Sequence, residues 1–169
     1  VLGKLRTLGR RATPPAAAHG APADPIAAFR DAARGPLRRA LRTRDEWLRE
    51  LDAISAELKH RGLRAALGRA AVVGEVFAAR FASHRAELWA VRAPRGAQAY
   101  HRLWVTWLWK VEEANAILAS AASQRDMDML DQAAAILAEA RPLLAALTGD
   151  RAALARYLAE HGASPALPA

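Results

Sequence analysis

The chain contains no cysteine, which excludes disulfides, thiolate zinc sites and cysteine nucleophiles and leaves its redox compartment open. β-Branched residues are sparse and never alternate with polar ones over a long run, so strands are not expected. No stretch reaches the roughly 18 apolar residues of a membrane-spanning helix. The best candidate, residues 65–82, is interrupted by Arg69, Glu75 and Arg80. The basic opening is followed by "ATPPAAAHGAPA", too rich in proline for the apolar segment of a signal peptide. A compartment is therefore not assigned, with an intracellular or membrane-associated location favoured.

Chemical motifs are also missing. There is no Gly-rich phosphate loop, no GxSxG, no HExxH and no EF-hand loop. Glu112 and Glu113 are adjacent, so on a helix their side chains diverge by about 100° and cannot form a facing acid–base pair. Glu57 and His60 make a Glu-x-x-His, but no second copy accompanies them, and Lys59 and Arg61 mark a solvated helix end. No catalytic residue, cofactor or metal site is expected. His84 falls between Phe81 and Leu88 on an apolar face and reads as a core-edge histidine with a hydrogen-bond partner. His101 reads as exposed.

Acidic residues are scarce at one end of the chain, and this locates the charge. The net charge is +8. Residues 1–44 hold ten Lys/Arg against two Asp, whereas residues 45–169 hold fifteen of each sign. The protein therefore reads as a neutral body carrying a basic N-terminal arm, with Lys4, Arg6, Arg10, Arg11, Arg38, Arg39, Arg42 and Arg44 as its electrostatic residues.

What is abundant is alanine and leucine at helical spacing. Residues 1–23 read as a largely disordered arm and Pro/Ala linker, and 24–42 as short basic helices capped by Asp24 and interrupted at Gly35–Pro36. A helical bundle is expected over 43–162, starting at a capping box formed by Thr43 and Glu46, with a disordered tail at 163–169. Within it, Trp47, Leu51, Ile54 and Leu58 share one face until Gly62. The next face holds Leu63, Leu67, Ala70, Gly74, Phe77, Phe81, His84 and Leu88. After a turn at 93–96, the stripe Tyr100, Leu103, Trp104, Trp107, Val111, Ala114, Leu118 and Ala121 predicts a helix from Ala97 to Ala122. A fourth helix, started by Ser123 or Asp126, points Leu130, Ala133, Ala134, Leu137, Ala140 and Leu144 inward and Pro142 outward. Gly149 ends it and Asp150 caps a short last helix. The fold class is all-α: an antiparallel up-and-down bundle of four to five helices with a basic N-terminal arm.

The stretch "HRLWVTWLWKVEEAN" concentrates three of the five tryptophans. Trp104 and Trp107 read as core, whereas Trp109 falls on the opposite side with Val105 one turn before it. Val105, Trp109 and Trp89 are thus the expected partner-binding residues, because tryptophan is enriched at binding hot spots. A terminal helix folding back over Trp109 is the competing expectation. The reading is a non-enzymatic interaction or assembly subunit that binds a protein partner or itself. Its N-terminus suits an anionic membrane surface, since "VLGKLRTLGRR" has the pattern of a basic membrane flank. The alternative is a nucleic-acid-associated protein using the same arginines.

Overall fold

The computed structural model describes residues 24–161. Their elements are α1 (Pro25–Arg61), α2 (Leu63–Trp89), a 3₁₀ turn (Arg95–Ala97), α3 (Gln98–Gln124), α4 (Met127–Thr148) and α5 (Arg151–His161). Among the described residues there is no strand, and the molecule is an all-α antiparallel bundle. Lys4, Arg6, Arg10 and Arg11 lie outside the described residues, as do the arm and tail expected to be disordered.

The helix ends follow local chemistry. The Asp24 carboxylate accepts from the Ile26 N–H at 2.9 Å, with Pro25 in the first turn. Gly62 separates α1 from α2 at φ 82°, a left-handed value that a side chain resists. Asp126 caps α4 by accepting from the Met129 N–H at 3.1 Å, and Asp150 caps α5 by accepting from Ala153 at 2.7 Å.

One expected boundary is absent. α1 passes through Gly35–Pro36 and Thr43 without a break, so the short basic helices of 24–42 and the opening of the bundle are one element. Pro36 removes a hydrogen bond to the Ala32 carbonyl. Ala32 is exposed, so water can take that bond. Thr43 is not a cap but a buried mid-helix residue, 2% exposed.

α1 packs on α2, α2 on α3 and α3 on α4, whereas α1 and α4 do not pair closely. α3 is therefore the central helix, and its residues from Leu103 to Leu108 are all buried. Edge-to-face aromatic contacts run from Tyr100 to Trp104 (6.3 Å), to Trp107 (5.7 Å), to Phe81 (6.0 Å) and to Trp47 (6.0 Å). Gly74 marks the closest approach of α2 to α3: a Cβ there would lie 2.7 Å from the Asn115 oxygen and the Ala119 nitrogen of the backbone.

Ion pairs tie α1 to α2, α2 to α3 and α3 to α4. Arg39–Glu87, Arg80–Glu46 and Arg69–Glu50, each 2.6 Å, join α1 to α2. Arg85 grips Glu112 of α3 with two nitrogens, at 2.6 and 3.2 Å, and Lys110 reaches Glu139 of α4 at 2.6 Å. They select partners and register more than they add stability, since exposed pairs contribute about 1 kcal/mol at most.

Some inward positions differ from the expected ones. Leu58 and Leu63 flank the α1–α2 turn and are 49% and 54% exposed, because no described helix extends over that end. Ala133 and Ala140 are buried as expected, but Ala134 is exposed, and α4 also buries Leu143, Ala146 and Leu147. The buried face of α4 is rotated because α4 meets α3 on one side only.

Candidate functional site

The open seam between α1 and α4 forms a groove of about 790 Å³. Phe29, Ala33, Leu37 and Leu41 of α1 form one wall. Tyr100 and Trp104 of α3 form the floor, and Leu147 and Leu154 close the far side. The wall exists because an apolar row continues along α1 at three- and four-residue intervals across Pro36. Residues 26–41 span about 22 Å at 1.5 Å per residue, so the groove is about four helical turns long.

Its rim is basic. Arg30, Arg34 and Arg38, four residues apart, line the same groove. Asp31 is their only acidic neighbour among the described residues, 3.2 Å from Arg34 and 4.0 Å from Arg30. Three guanidinium groups thus face one carboxylate, and Arg38 has no acidic partner within 4.0 Å among the described residues. Trp104 contributes a further unmet donor: it is 3% exposed, and its buried indole N–H has no hydrogen-bond partner. Among the described residues no carboxylate lines the groove. An apolar body with negative charge along one edge is what this arrangement can hold.

No family model, curated protein or solved structure matches the chain.

The expected partner residues are not brought together. Val105 is 2% exposed, so it belongs to the core and is withdrawn as a surface residue. The stripe argument gave α3 one buried face, but a central helix is buried nearly all round. Trp109 is partly buried, with the Lys110 ammonium 5.7 Å from its ring centroid. That ammonium also donates to Glu139, whose carboxyl is held below its ordinary pKa first by this hydrogen bond and then by the lysine charge. Trp89 is 60% exposed and ends α2, at a different place from Trp109.

The arginines assigned to the arm also divide. Arg39 and Arg44 are paired with Glu87 and Asp45. Arg38 lines the groove, and Arg42 borders a smaller polar cleft beside His84. Their helix is docked on the body rather than extended from it.

The histidines separate in the same way. His84 shares a 2.8 Å hydrogen bond with the Thr43 hydroxyl, as a core-edge histidine should. His101 is 9% exposed rather than free, with Nε2 2.8 Å from the Leu88 carbonyl, to which it donates. The 3₁₀ turn tucks this first turn of α3 against α1, where Phe29 meets the imidazole edge-on at 5.9 Å. His60 is exposed, and no cluster of three or more metal-ligating side chains occurs among the described residues.

Sequence reasoning missed the groove residues Phe29, Leu37 and Leu41 because 24–42 was read as separate helices, and Tyr100 because its stripe was read as core throughout. The row Phe29, Ala33, Leu37, Ala40, Thr43, Trp47 runs in one helical phase across Pro36 and carried the signal.

Proposed function

We propose that the protein is a non-enzymatic interaction subunit that receives an acidic amphipathic helix of a protein partner in the open α1–α4 seam. The groove carries this reading. It has an apolar wall about four turns long, a rim of Arg30, Arg34 and Arg38, and no carboxylate among its described lining residues. A bundle normally closes such a seam with one of its own helices, and a docked helix would bury the exposed parts of Leu37, Leu41 and Tyr100. Helix-in-groove recognition uses apolar anchors at i, i+3, i+4 and i+7. Glutamates flanking those anchors would meet the arginine rim.

The carboxylates offer little for catalysis. Glu46, Glu50, Glu57, Glu87, Glu112 and Glu139 each pair with a cation, which supports a structural role for them.

The test is a titration of the full chain with two synthetic amphipathic helices of equal apolar pattern, one flanked by Glu and one by Lys. The Glu peptide should bind, and the double substitution Arg34→Glu with Arg38→Glu should weaken it by about tenfold or more, at up to about 1 kcal/mol per exposed charge contact. Equal binding of both peptides, or no response to the double substitution, refutes the reading.

A further inference from the structure

The second unpartnered surface lies where α2 hands over to α3, and it differs from the groove in kind. Trp89 is the one strongly exposed tryptophan among the described residues, at 60%. It borders a cleft with Val91, Arg92, Gln98, His101 and Arg102. From Leu88 to Val111 the sequence holds Arg92, Arg95, Arg102 and Lys110 and no acidic residue. Arg92, Arg95 and Arg102 have no acidic partner within 4.0 Å among the described residues. The Arg102 Nε is buried without a hydrogen-bond acceptor. Arg39, Arg69, Arg80 and Arg85 each meet a carboxylate across a helix interface, whereas this stretch has cations around an exposed indole and, among the described residues, no carboxylate beside them.

Two further observations define the partner. Pro25 and Ala28 of α1 border a second cleft with Ala90, Val91 and Pro94. The sequence preceding Pro25, with Lys4, Arg6, Arg10 and Arg11, is therefore joined to the fold beside Trp89 and its arginines. The patch also combines an indole with point cations and lacks the run of stacked aromatics that single-stranded nucleic acid uses. An indole with cations around it is the composition that sits at the headgroup level of a bilayer.

We propose that the α2–α3 end of the bundle, centred on Trp89, Arg92, Arg95 and Arg102, docks on an anionic lipid surface. The contact is peripheral: no described helix is long and apolar enough to cross a membrane. Trp89 enters the interfacial region while the guanidinium groups meet lipid phosphates. The groove between α1 and α4 plays no part in this contact, so the proposal stands or falls separately from helix docking.

The experiment is flotation of the full chain with phosphatidylcholine vesicles, with and without about a quarter phosphatidylglycerol, and with a variant carrying Trp89→Ala, Arg92→Glu and Arg95→Glu. The full chain should float only with the anionic vesicles, and its tryptophan emission should shift to the blue, because Trp89 is the water-exposed indole. The variant keeps the N-terminal arm, and should bind at least about tenfold more weakly, given roughly fivefold per cation removed near the surface. Unchanged affinity in the variant overturns the proposal, since the arm alone would then account for binding. It is equally overturned if the substitutions abolish binding to a single-stranded oligonucleotide and spare vesicles, or if they convert a dimer to a monomer and spare vesicles. Circular dichroism of the variant separates loss of the surface from loss of the fold.

Discussion

The Thr43 hydroxyl and the His84 Nε2 lie 2.8 Å apart, bridging α1 and α2. Arg80 donates to the same hydroxyl at 3.2 Å, so one oxygen joins two side chains of α2 to α1. The histidine pKa is lowered from 6.5, first by desolvation, with Glu87 opposing and Arg39 and Arg80 assisting. The unfolded chain therefore binds this proton more readily than the folded one. Stability contributed by neutral His84 is complete above the unfolded value near 6.5 and declines as pH falls below it toward the lower folded value. The melting temperature should drop between pH 7 and pH 5 more in the native protein than in His84→Gln. Parallel pH profiles for the two proteins would show that His84 has no part in the decline.

Gly74 faces backbone rather than side chains. A Cβ would meet the Asn115 oxygen and the Ala119 nitrogen at 2.7 Å, and neither can rotate away. Gly74→Ala should therefore separate α2 from α3 and cost about 1–3 kcal/mol, despite alanine's better helix propensity. Urea denaturation measures this, and an unchanged midpoint would mean that the two helices are further apart than described.

Trp107 and Trp89 are opposite cases of one residue type. Trp107 is 2% exposed and touches Trp104 and Phe81 edge-on, so Trp107→Ala should cost about 3–5 kcal/mol. Trp89 is 60% exposed, and Trp89→Ala should change stability by less than about 0.5 kcal/mol. Thermal melts of both variants check the pair. A large loss at Trp89 would mean that it packs in the fold rather than facing outward.

Much of the architecture was legible because its signals are local. Asp24, Gly62, Asp126, Asp150 and Gly149 act on backbone groups a few residues away, so they mark helix ends wherever the chain goes. The apolar stripes of α2 and α3 also survived, with Phe77, Phe81, Trp104 and Trp107 in the core as their spacing implies. Gly35–Pro36 misled because a helix interior proline is tolerated when the carbonyl it leaves unpaired faces water, and exposure is not a sequence property.

The sequence by itself determined the all-α class, most helix ends and the concentration of positive charge toward the N-terminus, because periodicity, capping and charge are properties of neighbouring residues. Tertiary structure alone decided that α3 is central, which buried Val105 and His101 and half-covered Trp109. It also decided that α1 and α4 stay apart, opening the groove over Trp104, and that the turn after Trp89 comes to lie beside Pro25. A helix of given sequence can be flanked on one side, two or three. Which of its faces meets solvent depends on those neighbours, and the packing of distant segments chooses them.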